Sequence, residues 1–493
     1  MKITKSDIIN SVANALQYIS YYHSKDFIQA MFLAYQKEKN IVTKDAISQI
    51  LINSKMAAIS NRPICQDTGM VNVFVEVGMD IDWDTDLSLD EMINEGVRKA
   101  YQNNKNPLRK SIVKNPLFSR ENTKDNTPAI IHTTLVKGNK LKFFISAKGA
   151  GSENKAKFTN LNPDDNLSDW VVNEVINMGA GWCPPGIISI GVGGSSEKAM
   201  LLAKKGLYET INIQEIINNG AKNKTEALRL ELYNKINNLG IGAQGLGGST
   251  TVLDVKINTF PTHAASLPIA IIPNCAATRH IHFSLDGKGI ATLPEVNIDD
   301  YPNLEFNTHS YKKINLDNIT KQETKNWKIG ETLLLSGTIF TARDAAHKRI
   351  KTLLDNGKKL PINLKDKFIY YVGPVDAVND EVIGSAGPTT ATRMDKYTNM
   401  ILKDIGVIGM IGKAERGKNT IKEIKKNQAV YLIAVGGAAY LISKAIKKAK
   451  VIAFDDLGME AIYKLEIKDF PVTVAVDTQG NNIHKKFQTV KIT

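Results

Sequence analysis

Arg62-Pro63-Ile64-Cys65-Gln66-Asp67-Thr68-Gly69 places one of only three cysteines in 493 residues inside a short turn. The other two share that setting. Gly181-Trp182-Cys183-Pro184-Pro185-Gly186 encloses the second, and Ile272-Pro273-Asn274-Cys275-Ala276-Ala277-Thr278-Arg279 the third. Buried structural cysteines usually lie inside apolar strands or helices. Turns with little bulk instead let several thiolates converge on one inorganic object. Three thiolates are one short of the set that saturates a cubane iron–sulfur cluster. One iron is then free to take a substrate oxygen and act as a Lewis acid. Three unrelated buried thiols are the alternative, and the cysteines alone leave both open.

Outward from the first turn the chain reads as α/β. Residues 1 to 60 are helical, with Ile8, Val12, Leu16, Ile19, Phe27, Met31 and Ala34 recurring three and four apart. Strands are expected over 71–77, 141–147, 250–256 and 267–272, and helices over 168–178, 195–205 and, strongly amphipathic, 226–239. These make a mixed α/β N-terminal domain, residues 1–295, that holds all three cysteines. Residues 296–325 are rich in Asp, Asn, Pro and Tyr and read as a linker. Residues 326–493 read as a smaller α/β C-terminal domain. Its strands fall at 331–336, 368–372, 406–411, 429–435, 451–455 and 472–477, and its helices at 342–354, 420–426 and 438–448.

Composition narrows the classes. Hydrophobic content of 43% and charged content of 23% are those of a soluble globular protein. The longest apolar stretch, 429–443, spans about fifteen residues where a membrane span needs roughly twenty. It reads as a strand, a glycine turn and a helix start. The N-terminus has neither an apolar signal region nor an Arg-rich, acid-poor presequence. Few cysteines and no secretory signal indicate a reducing compartment, and the cytoplasm is the expected location. A net charge of +13 invites a nucleic-acid reading. The lysines are spread along the chain, however, and runs such as Lys422-Lys425-Lys426 and Lys444-Lys447-Lys448 read as helix faces or ends. A solvated basic surface, which also concentrates dicarboxylates, is the better reading.

Two motifs mislead. Gly240-Ile241-Gly242-Ala243-Gln244-Gly245 fits the dinucleotide fingerprint, but a helix precedes it and a strand follows, the reverse of what that mechanism needs. It reads as a tight turn that brings backbone near the thiols. Gly412-Lys413-Ala414-Glu415-Arg416-Gly417-Lys418-Asn419 nearly fits a phosphate-binding loop, but Asn419 replaces the magnesium-binding Ser or Thr. Its helix N-terminus and Lys413 would still suit a carboxylate.

The turn Ile64-Cys65-Gln66-Asp67-Thr68-Gly69 resembles the first cluster motif of class I fumarases, the iron–sulfur fumarate hydratases. Asn-Thr-Lys-Asp-Asn-Thr-Pro-Ala from Asn122, Lys-Gly-Ala-Gly-Ser-Glu-Asn-Lys from Lys148, Gly-Ala-Gln-Gly-Leu-Gly-Gly from Gly242 and Gly-Pro-Thr-Thr-Ala-Thr-Arg-Met-Asp from Gly387 resemble further motifs of that family, in its order. The resemblance implies a [4Fe–4S] cluster on Cys65, Cys183 and Cys275, a swivelling-type C-terminal domain, a homodimer and a small dicarboxylate substrate. It implies that Asp67 and Thr389 are catalytic. It implies substrate binding by Gln66, Arg109, Gly149, Ser152, Asn154, Lys155, His263, Arg343, Arg393 and Lys413.

The chemistry agrees with these residue types. Hydrating a double bond between carboxylates needs donors that stabilise charge building on one carboxylate. An arginine fork binds both oxygens of such a group, although each arginine could instead make a salt bridge. Asp67 could orient a base or cap its own turn. Thr389 could transfer the proton or cap the helix after Pro388. With Asp67 in the first domain and Thr389, Arg393 and Lys413 in the second, the site is expected between domains, where closure excludes water. The reaction expected is reversible hydration of fumarate to (S)-malate. L(+)-tartrate dehydration is the nearest alternative, and an iron–sulfur RNA-binding regulator, supported only by the charge, is the alternative of another class.

Overall fold

The computed structural model describes residues 2–306, 308 and 311–485. Three helices open the chain, Lys5–Tyr21, Lys25–Lys37 and Ile41–Ser60. Thr4 and Asp7 form a capping box on the first, and Asn40 caps the third. The predicted apolar positions Ile8, Val12, Leu16, Ile19, Phe27, Met31 and Ala34 are all buried. The first helix, with Leu89–Tyr101, covers a four-stranded sheet ordered His280–Leu285, Leu141–Lys148, Met70–Gly78, Ile130–Val136. A second four-stranded sheet is ordered Lys157–Leu161, Leu267–Asn274, Gly186–Gly193, Val252–Phe260. Leu167–Met178 and Lys224–Asn238 pack on it. The latter buries only Leu232 and Ile236, a narrower apolar face than its sequence suggests.

The third sheet has seven strands: Lys312–Asn315, Thr332–Thr341, Phe368–Tyr370, Gly409–Gly412, Val430–Ile433, Ile462–Val476 and Ile446–Ala453. The long strand Ile462–Val476 pairs with both Val430–Ile433 and Thr332–Thr341, so five strands close into a ring. The architecture is mixed α/β throughout, as expected.

Two expectations are corrected. The predicted linker 296–325 carries a strand among its described residues: Lys312–Asn315 pairs in parallel with Leu333–Ser336, and Tyr301, Tyr311 and Leu316 are buried, while residues 307, 309 and 310 lie outside the described ones. The predicted helix over 438–448 stops at Lys444, and Lys447 and Lys448 lie on the strand Ile446–Ala453. That strand is the sheet's edge, where lysines discourage pairing with another chain. The ring's core is continuous with side chains of the second and third helices, including Phe27, Met31, Ile47 and Ile50.

Candidate active site

The three cysteine turns meet where the two halves join. Cys65 follows the helix Ile41–Ser60, which Asn61 ends in the left-handed region at φ 49°. Buried Asn53 fixes that turn. Its Nδ2 donates to Ile64 O at 3.0 Å and Gly437 O at 2.9 Å, and its Oδ1 accepts from the N–H groups of Tyr440 and Leu441. Cys275 follows the strand Leu267–Asn274, and the next N–H, of Ala276, donates to Cys183 O at 3.0 Å. Gln244, in the glycine turn after Lys224–Asn238, donates through Nε2 to Pro184 O at 2.9 Å and accepts from Gly436 N–H at 2.8 Å. It thereby ties the Cys183 turn to the ring. The fingerprint-like run is the close-approach turn its element order predicted.

The sulfurs sense one another. Burial pushes the Cys65 thiol up and the Cys183 thiol up to about 11; Lys413 opposes both shifts, and neighbouring cysteines add to both. Lys413 Nζ donates to Cys183 Sγ at 2.8 Å. Burial disfavours its charge, but Cys183, Cys65 and Cys275 together hold it above the ordinary lysine range. The cationic loop residue singled out in the sequence therefore sits against Cys183, with Cys65 and Cys275 near enough to act on its charge.

A cationic wall surrounds them. Arg109 reaches Asp67 at 3.1 Å and donates to Gly373 O at 2.9 Å. Arg343, also against Gly373, pairs with Glu460 at 2.7 Å. Arg393, 41% exposed, pairs with Asp344 at 3.1 Å. Burial pushes the Asp67 carboxyl up, but Arg109, Arg279 and Lys413, with the Ala150 N–H at 3.0 Å, outweigh it, and its pKa falls below the ordinary carboxylate range. Asp67 thus reaches another segment rather than capping its own turn. Thr389 is buried; its N–H donates to Tyr371 O and its carbonyl accepts from Lys413 N–H. Thr390, not Thr389, is the N-cap residue of the short helix that follows.

The remaining predicted residues divide. Gln66 donates to Pro388 O at 3.3 Å, and Gly149 lies against Asp67, where a Cβ would come within 3.1 Å of Oδ2. Lys155 lies over Gly181, with Nζ 4.0 Å from Glu415. Ser152 is engaged internally, accepting from Lys148 Nζ at 2.7 Å and donating to Gly149 O. Asn154 is exposed at the end of Ala150–Glu153. His263 does not join the site within this chain. It is exposed between Val252–Phe260 and Leu267–Asn274, and the latter strand separates it from Cys275 by roughly 27 Å at 3.4 Å per residue.

Three contributors escaped the sequence reading. Arg279 is buried, with Nε and Nη1 unpartnered among the described residues, and it lowers the pKa of both Cys65 and Asp67. It was visible in the third cysteine turn, four residues after Cys275. Glu415 accepts from Ala180 N–H at 3.0 Å, beside the Cys183 turn. Gln244 stood inside a quoted motif. The helix N-terminus after Lys413 is already taken, because Gly417 N–H donates to Asp395 at 2.7 Å, and Arg416 turns inward to the same carboxylate at 2.6 Å.

Three thiols beside a wall of guanidinium and ammonium groups define a class of site suited to an anionic substrate with two or more carboxylate oxygens. Residues 9–284 match the family described as fumarate hydratase (Fumerase), and residues 287–487 match the family described as Fumarase C-terminus. The chain belongs to this fumarase family. It is 32% identical over 457 residues to fumarate hydratase 2 of Leishmania major, covering 89% of this chain and 79% of the relative. It is 32% identical over 455 residues to the anaerobic class I fumarate hydratase of Escherichia coli strain K12, covering 89% and 82%. It is also 37% identical over 281 residues to a putative L(+)-tartrate dehydratase subunit alpha of Methanocaldococcus jannaschii, covering 54% of this chain and 94% of the relative.

Proposed function

We propose that the chain hydrates fumarate reversibly to (S)-malate, using a [4Fe–4S] cluster held by Cys65, Cys183 and Cys275. The observation that carries this reading is the meeting of the cysteine turns, with Ala276 N–H on Cys183 O at 3.0 Å and the Lys413 ammonium against Cys183 Sγ at 2.8 Å. Among the described residues, no three His, Cys, Asp or Glu stand close enough to hold a single metal ion. A cubane cluster asks for a wider arrangement, because each thiolate binds a different iron. Arg279, with two unpartnered nitrogens near Cys65 and Asp67, suits an anionic group nearby. When bound, the cluster supplies a Lewis acid for the hydroxyl that adds to or leaves the substrate.

Arg109 and Arg343, both against Gly373 and paired with Asp67 and Glu460, bring two guanidinium charges toward one carboxylate, and half-exposed Arg393 brings a third. These donors stabilise the charge that gathers on that carboxylate as the neighbouring carbon loses its proton. Thr389 Oγ1 is the proposed proton-transfer atom. Asp67, held ionised, acts as an acceptor and not as an acid at neutral pH.

Anaerobic reconstitution with iron and sulfide, followed by the absorbance of fumarate, tests the reading. Turnover of fumarate with little turnover of L(+)-tartrate is expected. The reverse preference would make the enzyme a tartrate dehydratase. Salt-dependent retention of RNA by the apoprotein, with neither activity in the reconstituted protein, would point to a regulator. The assembly proposed is a cytoplasmic homodimer, and sedimentation at the mass of one chain would refute the dimer. Among the described residues, no helix is long and apolar enough to cross a membrane.

A further inference from the structure

Residues 373–389, which end at Thr389, contain neither helix nor strand. Irregular segments of this length are uncommon in compact proteins and usually functional. In its middle, Asp376, Ala377, Asn379, Asp380 and Val382 are exposed. One side borders a polar cleft of about 650 Å³. Packing therefore does little to fix the middle of the segment, and polar tethers must do so.

The buried end of the segment is held by Tyr370 Oη on Ala386 O at 2.6 Å and by Thr389 N–H on Tyr371 O, and its remaining tethers come from the first cysteine turn and from Arg109. Arg109 holds Gly373 O at 2.9 Å, Ser385 Oγ donates to Pro63 O, and Gln66 holds Pro388 O at 3.3 Å. The strongest is Arg62, three residues before Cys65. Its Nε and Nη2 meet the two oxygens of Glu381 at 3.0 and 2.9 Å, its Nη2 donates to Asp376 O at 3.0 Å, and its Nη1 donates to Asn106 Oδ1 at 2.9 Å. The Arg62 and Glu381 side chains are 4% and 12% exposed. A fork-to-fork pair fixes direction as well as distance, and burial spares it from salt screening.

We infer that Arg62 and Glu381 form a positioning pair, which sets the segment ending at Thr389 in register with the turn that carries Cys65. The inference rests on the hydratase reading. The pair acts through Thr389, and Arg109 and Arg343 keep their own anchors on Asp67 and Glu460.

The test uses the full, reconstituted chain with Glu381→Gln, Arg62→Lys and Arg62→Met, each also combined with Thr389→Ala. Glu381→Gln and Arg62→Lys should keep iron content. They should lower kcat by about tenfold, because misplacement of a reacting group by even an ångström can cost more than that, and leave KM for fumarate nearly unchanged. Neither should lower kcat further once Thr389 is alanine, since the group being positioned is gone. A wild-type kcat in Glu381→Gln would overturn the inference, as would an equal loss in the Thr389→Ala background or a loss of iron that accounts for the lost activity. If Arg62→Met fails to fold, Glu381→Gln decides. Should the wild-type chain prove inactive on fumarate, the hydratase reading fails by itself. Amide exchange then judges the pair, which predicts faster exchange across 376–384 in both conservative variants, and unchanged exchange would refute it.

Discussion

Gly436→Ala isolates the space that the Cys183 sulfur needs. A Cβ at Gly436 would lie 2.7 Å from Cys183 Sγ, 3.0 Å from Gln244 Oε1 and 3.1 Å from Lys413 Cδ. Unbonded heavy atoms prefer about 3.5–4.0 Å, so the sulfur must retreat by roughly 1 Å. Metal–ligand distances tolerate only about 0.2 Å. The fold should survive, since overpacking of this kind costs about 1–3 kcal/mol. The reconstituted variant should therefore show a depressed iron content and a weak visible charge-transfer band, with a modest fall in Tm. Gly437→Ala is the control. Gly437 sits at φ +89°, but its Cβ would meet Ala276 at an ordinary 3.5 Å. That variant should lose about 1–2 kcal/mol of stability through backbone strain alone and keep its iron. A Gly436→Ala protein with full iron and wild-type turnover would show that Cys183 Sγ is not held where the reasoning needs it.

Thr389→Ala should retain iron and thermal stability and lose activity by on the order of 10²-fold or more; near-normal turnover would send the search for the proton-transfer group elsewhere. Asn53→Ala removes two donors and two acceptances in a fully buried position and should cost roughly 3–5 kcal/mol, read as a fall in denaturation midpoint. Burial pulls the His347 imidazole down to about 4, with its Nδ1 at 2.9 Å from Arg343 O. The unfolded chain therefore takes up a proton that the folded chain refuses between pH 6.5 and 4. Stability falls as pH drops through that window, by about 2 kcal/mol at pH 5 from this residue. His347→Gln should flatten that part of the stability–pH curve, and an unchanged slope would contradict the assignment. Prolonged aeration without reductant should abolish activity while leaving the far-ultraviolet circular dichroism intact.

Much of this was legible in local pattern. The opening helices declare themselves through residues such as Ile8 and Val12, whose spacing is set by the helix itself. The thiol turns and three arginines stood in recognisable runs. What escaped depends on distant partners. Lys312–Asn315 is a strand only because Leu333–Ser336 lies beside it. Lys447 and Lys448 belong to a strand because Ile462–Val476 pairs with it, while their local spacing continues a helix. His263 was placed by motif, but the direction of the strand Leu267–Asn274 carries it to the opposite end from Cys275. Asn53 and Gln244 join parts of the chain far apart in sequence; glycines flank Gln244 and mark a close turn, whereas nothing beside Asn53 betrays its use.

The shared core bears on how a substrate arrives. Side chains from Lys25–Lys37 and Ile41–Ser60 pack into the same apolar mass as the ring of strands. Halves joined by a large apolar interface do not swing apart as rigid bodies. A hinge between the halves would have to expose that mass to water. Local yielding near Arg393, which remains partly in solvent, is the entry expected instead. Viscosity and crowding should slow such a gate far less than they would slow a swinging domain.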